Sequence, residues 1–187
     1  NSHVIYFKKS KANTKLVGDF NLENIAVAEE VAKILKIKKE VYLKTITNFS
    51  NLNHRLEFVK KIDNVSYFDN SFSTTPESTV LDLKSFKKNI VLIAGGADKG
   101  ANFLPLAKEI KKRVKFLILL AGKGTERIKV EIKKVNYPKN KMIEVFSMKD
   151  AVKIAKEQAN NGDTVLLSTG CASFGLSKNY KEWANLF

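Results

Sequence analysis

The sequence has 187 residues and carries 33 Lys and Arg against 19 Asp and Glu, a formal net charge of +14. A hydrophobic share of 44% with 12 Phe indicates a globular chain with a substantial core. No apolar run reaches the roughly 20 residues that a membrane helix needs. The single cysteine, Cys171, excludes an internal disulfide. We therefore expect one domain, or one domain plus part of another, in a reducing cytoplasm, with no membrane insertion and no structural zinc.

The positive charge is spread over nearly every predicted element. Lysine doublets such as Lys60-Lys61, Lys87-Lys88 and Lys111-Lys112 alternate with apolar positions, as on solvated helix faces and strand ends. The preference for Lys over Arg disfavours the forked recognition of phosphate. We expect no specific nucleic-acid partner, and a basic nucleotide- or nucleic-acid-binding module remains the alternative of another class.

The first part of the chain predicts two helices. Residues 4–7 form one possible strand, and an amphipathic pattern with helical spacing begins near Asn21, which is available as a cap. A second helix is predicted at 40–46, and the polar residues that follow it are typical of a linker. We predict a domain boundary there, with residues 1–47 in one domain and 48–187 in the next.

The second part of the chain alternates between strands and helices. Two β-rich runs flank Asp63-Asn64, which is a hairpin signal. Such alternation implies right-handed crossovers and a mainly parallel sheet. The predicted fold class is α/β, a Rossmann-like mainly parallel sheet with flanking helices and an antiparallel hairpin at its start. The predicted strands are 55–62, 65–69, 90–94, 114–120, 143–146 and 164–167, and the predicted helices are 78–86, 104–111, 125–133 and 149–159.

Three loops follow predicted strands and are rich in glycine and hydroxyl residues, namely 70–75, 95–100 and 169–174. Ligands of open α/β sheets bind beyond the carboxyl ends of the strands. Lys99 adds a cation, so the set suits a carboxylate or a phosphate. Plain turns and one more solvated lysine remain the simpler alternatives.

Other motifs are weaker or missing. Arg55 offers a fork of donors that can clamp a phosphate beside a domain junction, whereas His54 is more typical of a surface or hinge position. The phosphate loop G-x-x-x-x-G-K-[S/T] is missing, and Gly95-Gly96 with Asp98 is a poor dinucleotide-binding fingerprint. Cys171 has no His near it in sequence, so we expect a packed residue and not a thiol nucleophile, and we predict no metal site.

Five segments, taken in order, resemble the C-terminal part of the Mur ligase family, and most closely the branch that adds glutamate to UDP-N-acetylmuramoyl-L-alanine. Their order, spacing and position make the resemblance specific from about residue 18 onward. The segments are GDFNLENIAVA at 18–28, LNHRLEFV at 52–59, DNSFSTTPEST at 69–79, LIAGGADKGANF at 92–103 and LLSTGCASFGLSKNYKEWANLF at 166–187.

The resemblance implies an ATP-dependent amide ligase of peptidoglycan synthesis that works through an acyl phosphate. Residues 1–47 would be the tail of a central ATPase domain whose remaining part binds most of the ATP and Mg. The chain, which does not begin with Met, would then be a fragment that is inactive alone. The implied partners are UDP-N-acetylmuramoyl-L-alanine, glutamate and ATP, and the full-length enzyme would be a monomer. D-glutamate is the favoured acceptor, with L-glutamate or another amino acid as the alternative.

The resemblance also implies roles for individual residues. Asn24 would contact the adenine, and Arg55 and Asn70 the ribose and phosphate side. Phe20, Asn70 and Phe72 depart from the family pattern, where His, Asp and Lys are usual. The incoming amino acid would be held by Thr74, Lys99, Ser173, Phe174 and Tyr180, of which Lys99 is also the catalytic candidate.

Overall fold

The computed structural model describes residues 4–172 and 186–187, and the chain divides into two compact units between Asn51 and Leu52. The first unit contains helices α1 (Asp19–Ile34) and α2 (Lys39–Asn48). The predicted strand at 4–7 is wrong, because these residues lie outside any helix or strand. Their side chains are largely exposed, Tyr6 to 91%, so the segment packs no buried apolar face that would hold it in a sheet. Among the residues that the structure describes, none of the helices could span a membrane.

Helix α1 begins three residues earlier than the apolar pattern suggested. Gly18, with a φ of 96°, precedes its first residue, and the amide of Asn21 donates to the carbonyl of Val17 at 2.7 Å. The prediction that Asn21 caps the helix is therefore wrong, since this side chain lies inside the first turn. The helix buries Ile25 together with two alanines of the same face.

The second unit alternates between strands and helices from Glu57 to Leu167. Each of its predicted boundaries agrees with the observed one or differs from it by one or two residues, and strands 65–69, 114–120 and 164–167 agree at both ends. In order, the elements are β1 (Glu57–Ile62), β2 (Val65–Asp69), α3 (Pro76–Lys84), β3 (Ile90–Gly95), α4 (Leu104–Arg113), β4 (Val114–Leu120), α5 (Lys123–Lys134), a short 3-10 helix (Lys139–Lys141), β5 (Met142–Val145), α6 (Met148–Gln158) and β6 (Thr164–Leu167).

Within the described residues these strands form one six-stranded sheet of order β1-β2-β6-β3-β4-β5. Strands β1 and β2 pair antiparallel, and all other neighbours pair parallel. The turn residues Asp63 and Asn64 both have positive φ, of 49° and 61°, as the tight turn of a hairpin requires. The α/β fold class with its antiparallel start is confirmed.

Strand β1 begins at Glu57, not at Arg55 as predicted. The reason is local, since His54 and Leu56 have positive φ values of 64° and 47°, which extended strand backbone does not allow. Residues 54–56 therefore form an irregular turn that leads into the hairpin. This turn places Arg55 beside the end of β2, as described below.

The core lies on both faces of the parallel strands. Alternate residues of β3 and β4, such as Ile93 and Ile118, form one apolar cluster with Met148 and Ala151 of α6. Helices α3, α4 and α5 contact one another in sequence, and α4 and α5 contact β4 and β3. Because β6 lies between β2 and β3, the loops that follow these three strands meet at one edge of the sheet.

Candidate active site

Backbone hydrogen bonds join the three strand-end loops to one another. The loops after β2 and β6 are connected through Ser73, and the loops after β3 and β6 through Thr169 and Ala172. The donor and acceptor pairs are Asn70 N to Leu167 O at 2.7 Å, Gly170 N to Ser73 O at 2.9 Å, Gly95 N to Thr169 O at 2.8 Å and Ala97 N to Ala172 O at 2.8 Å. Such bonds fix the loops relative to each other without using their side chains.

A buried polar network lies beneath these loops, around Asp82 of α3. Ser168 and the amide of Asn70 each donate to Asp82 Oδ2 at 2.7 Å. Ser168 also bonds to Thr79 at 2.9 Å, and Thr79 lies 3.0 Å from the Ser73 hydroxyl. Burial raises the pKa of Asp82 to about 6, although these hydrogen bonds act in the opposite direction. The network connects the first and third loops through their side chains.

Asn70 belongs to this network and is only 6% exposed. Its amide nitrogen donates to Asp82, while its oxygen is buried and has no hydrogen-bond partner among the described residues. An amide at this position can donate to the buried carboxylate, which an ionised Asp could not do. The implied contact of Asn70 with a nucleotide stays a prediction.

Arg55 lies against Phe72, the residue where the family pattern has Lys. The guanidinium carbon of Arg55 is 3.6 Å from the centre of the Phe72 ring, within the range of a cation–π contact. The amide of Phe72 also donates to the carbonyl of His54 at 3.4 Å. The turn before β1 and the loop after β2 are thereby joined at the arginine.

The same turn is held by a histidine–aspartate pair. His54 Nδ1 lies 2.7 Å from Asp69 Oδ2, and the other oxygen of Asp69 accepts from the amide of Ser71 at 2.7 Å. The amide of His54 donates to Glu57 at 2.8 Å. His54, Glu57 and Asp69 bring possible metal-ligating atoms within 4.8 Å of one another. The hydrogen bonds of His54 to Asp69 and to Glu57 are sufficient to explain why these three residues lie together.

Two of the five candidate amino-acid contacts, Thr74 and Lys99, lie in the joined loops. Thr74 is half-buried, and Lys99 is exposed and makes no ion pair with another residue in the described part of the chain. Ser173, Phe174 and Tyr180 lie outside the described residues. The structure thus brings together the two loops that carry Thr74 and Lys99, and the roles of all five residues remain predictions.

Cys171 is buried at the same edge, as the sequence predicted, with 2% of its surface exposed. Burial raises the pKa of its thiol to about 12. A thiol in this state is protonated at neutral pH and is a poor nucleophile. Cys171 therefore packs among the loops at this edge.

In the first unit, Asn24 lines an apolar cavity of about 260 Å³. Its amide nitrogen donates to the side-chain oxygen of Asn21 at 3.3 Å, which orients the amide. An apolar cavity with one oriented amide suits a flat base that carries hydrogen-bonding groups on its edge. The cavity is lined by Leu16, Asn24, Ile25, Ala28, Thr45, Ile46 and Phe49.

Sequence reasoning missed Asp82, the His54–Asp69 pair and the stacked Arg55. An acidic residue between Leu81 and Leu83 was the one local signal for a buried carboxylate. The His54–Asp69 and Arg55–Phe72 contacts join positions about 15 residues apart, and no local sequence pattern predicts them.

Comparison with known proteins identifies relatives over nearly the whole chain. The UDP-N-acetylmuramoylalanine--D-glutamate ligase of Thermoanaerobacter sp. (strain X514) is 37% identical over 170 residues, which are 91% of this chain and 37% of that protein. The enzyme of the same name from Clostridioides difficile (strain 630) is 38% identical over 172 residues, 92% of this chain and 38% of that protein. The chain therefore spans little more than a third of the length of these relatives.

Solved structures share the fold at low sequence identity. A UDP-N-acetylmuramate-alanine ligase from Thermotoga maritima superposes with a TM-score of 0.69 at 14% identity, over 96% of this chain and 44% of that one. A folylpolyglutamate synthase from Mycobacterium tuberculosis gives 0.69 at 10% identity, over 98% and 47%. The glutamate ligase domain of the Mur ligases matches residues 54–171, more than half of the sequence. The chain belongs to the Mur ligase family and carries its glutamate ligase domain.

Proposed function

We propose that this chain is the C-terminal part of an ATP-dependent ligase that joins D-glutamate to UDP-N-acetylmuramoyl-L-alanine in peptidoglycan synthesis. The names of relatives that are 37% and 38% identical support this substrate pair. Because the chain spans 37% of the first of these relatives, the remaining catalytic parts would lie outside it. The proposed enzyme acts in the cytoplasm as a monomer, and this chain alone has no ligase activity.

The proposed reaction is nucleophilic attack by an amine on an acyl phosphate. The substrate carboxylate attacks the γ-phosphorus of ATP, the bond from this phosphorus to ADP breaks, and ADP leaves behind the activated acyl phosphate. The amine nitrogen of glutamate then forms the new C–N bond, the C–O bond to phosphate breaks, and the amine loses a proton. Negative charge develops on the carbonyl oxygen in the transition state, so fixed cations and hydrogen-bond donors accelerate the step.

In this chain the edge formed by the three joined loops is the proposed glutamate site. Lys99 would bind a carboxylate of glutamate and add positive charge near the reacting carbonyl, and Thr74 would donate a hydroxyl hydrogen bond. Ser173, Phe174 and Tyr180 complete the proposed pocket. The hydrogen bonds from Gly170 to Ser73 and from Ala97 to Ala172 support a preorganised site, because they fix the backbone next to Thr74 and shortly before Lys99.

The proposed nucleotide contacts are Asn24, Arg55 and Asn70. The apolar cavity beside Asn24 fits an adenine, and Arg55 presents a fork of donors suited to phosphate. Asn70 is proposed to act on the ribose side. Enzymes of this family use ATP and Mg. The carboxylates of the His54 cluster are already hydrogen-bonded, which supports Mg binding mainly by the part of the enzyme outside this chain.

The joined strand-end loops with Lys99 at their edge are the observation that carries the proposal. The test is a panel of amino acids assayed with the full-length enzyme, UDP-N-acetylmuramoyl-L-alanine and ATP. Phosphate release with D-glutamate alone supports the proposal. Release only with L-glutamate or another amino acid would keep the ligase reaction and change the acceptor. ATP-dependent ligation by the isolated chain would refute the proposal that catalysis needs parts of the enzyme outside this chain.

A further inference from the structure

The loop that carries Lys99 rests on the first turn of α5. The amide of Gly124 donates to the carbonyl of Gly96 at 2.9 Å, and the amide of Gly96 donates to the hydroxyl of Thr125 at 3.1 Å. A Cβ atom at Gly124 would lie 2.8 Å from the sulfur of Cys171, so the close approach requires glycine there. The start of the loop is thus fixed by α5 and not by its own sequence alone.

One helical turn later, Arg127 of α5 reaches the middle of the same loop. Its Nη1 atom donates to Asp98 Oδ1 at 2.7 Å, and its Nη2 atom donates to the carbonyl of Ala101 at 2.6 Å. Asp98 Oδ1 also accepts from the amide of Gly100 at 2.9 Å. The guanidinium carbon lies 5.4 Å from the centre of the Phe103 ring. A planar fork with two donors suits this pair of acceptors, whereas an ammonium group could satisfy them less well.

We propose that Arg127 and Asp98 are positioning residues that hold the backbone on both sides of Lys99, so that its ammonium group is presented to the incoming amino acid. This inference rests on the proposed role of Lys99 in glutamate binding. The residues before and after Lys99 are restrained, since Asp98 bonds to Gly100 and Arg127 bonds to Asp98 and Ala101. The lysine side chain itself remains exposed and able to extend from a fixed point.

The ion pair is too exposed for a main role in stability. The side chains of Arg127 and Asp98 are 43% and 27% exposed, and pairs of this kind contribute little to the free energy of folding. The amide of Gly100, with smaller contributions from Arg127, lowers the pKa of Asp98 below its ordinary value. The carboxylate is therefore charged at neutral pH and holds the arginine. The main structural effect of this ion pair is to fix the loop that contains Lys99.

The test compares steady-state kinetics of the full-length enzyme with Arg127→Gln, Arg127→Lys and Asp98→Asn. We expect Arg127→Gln and Asp98→Asn to raise the KM for D-glutamate about 10-fold, since small misplacements of a binding group have effects of this order. The KM for ATP should stay within about twofold, because the nucleotide contacts lie elsewhere. Arg127→Lys keeps the charge and one donor, so it should rescue part of the loss. The double variant should be no worse than either single one.

Lys134→Gln is the matched control, since it removes another ion pair of α5, with Glu131, far along the helix from the loop. Hydrogen exchange at the amide of Gly100 gives a second measurement. This exchange should become at least about 10-fold faster in Arg127→Gln if the loop is released.

A D-glutamate KM within about twofold of the parent in Arg127→Gln, while Lys99→Ala raises it, would overturn the positioning role and leave the proposed function intact. If Lys99→Ala also leaves the KM unchanged, the proposed role of Lys99 fails and the positioning role fails with it. Equal changes in the ATP and glutamate KM would instead indicate general damage and would also overturn the inference.

Discussion

The guanidinium carbon of Arg55 lies 3.6 Å from the centre of the Phe72 ring. Where the family pattern usually has Lys, Phe72 removes one positive charge from the site. The structure shows that the ring instead packs against a neighbouring cation, which is the second residue of an irregular turn. A lysine at position 72 would instead place a second positive charge beside the arginine.

Phe72→Leu should therefore weaken nucleotide binding through Arg55. A partly exposed cation–π contact contributes about 0.5–1 kcal/mol, so we expect the KM for ATP in the full-length enzyme to rise about two- to fivefold. Phe72→Trp should preserve the parent value because it keeps an aromatic face. Phe58→Leu is the matched control, as Phe58 lies on β1 and pairs with Phe68. If the Leu and Trp variants have the same KM for ATP, the aromatic ring at position 72 does not contribute to nucleotide binding.

Lys99→Ala should chiefly raise the KM for the amino acid. A charge-assisted hydrogen bond contributes about 1.5–3 kcal/mol, which corresponds to a loss of about 10- to 100-fold in affinity. The measurement is steady-state phosphate release with D-glutamate varied and ATP saturating. Lys108→Ala, which removes an exposed lysine from α4, is the control and should leave the KM unchanged. An unaltered D-glutamate KM in Lys99→Ala would exclude this residue from the site.

Asn24→Ala should raise the KM for ATP and leave that for D-glutamate unchanged. The amide lines an apolar cavity of about 260 Å³, where one lost hydrogen bond of about 1 kcal/mol gives roughly a fivefold effect. Asn48→Ala provides the control, because Asn48 ends α2 and does not line this cavity. A larger effect on D-glutamate than on ATP would contradict the assignment of the adenine to this cavity.

The central strands of the sheet could be predicted from the sequence because they are largely apolar runs bounded by polar residues. Val114–Leu120 and Thr164–Leu167 are examples in which most residues are apolar and buried. The start of β1 could not be predicted, since His54 and Leu56 adopt positive φ although neither is glycine. That conformation is imposed by partners distant in sequence, namely Asp69 and the loop after β2.

The candidate site, too, could be predicted from the sequence only in part. Its loops were visible as glycine and hydroxyl clusters after strands, and parallel topology was enough to bring them to one edge. The contacts that fix them were not visible, because Asp82 lies on α3 and Arg127 on α5, each reaching a loop through tertiary packing. A residue's type and spacing predict where it lies along an element, but not which side chain of another element meets it.

Asp82 makes the stability of the chain depend on pH. Burial raises its folded-state pKa to about 6 from the ordinary value of 3.8. The folded state therefore binds this proton more tightly than the unfolded state does. The stabilisation from protonation is fully present below pH 3.8 and is lost as the pH rises through about 6. A shift of this size corresponds to about 3 kcal/mol between these limits.

Asp82→Asn should remove this dependence, because an amide does not titrate. The measurement is the free energy of unfolding in urea at a series of pH values from about 4 to 7.5, taken as the difference between the parent and the variant. We expect the parent to lose stability relative to Asp82→Asn across this window. Asp63→Asn, in the exposed hairpin turn, is the matched control and should run parallel to the parent. A difference in the free energy of unfolding between the parent and Asp82→Asn that stays constant with pH would contradict this prediction. The carboxyl of Asp82 would then have the same pKa in the folded and unfolded states, and the buried polar network would not make stability depend on pH.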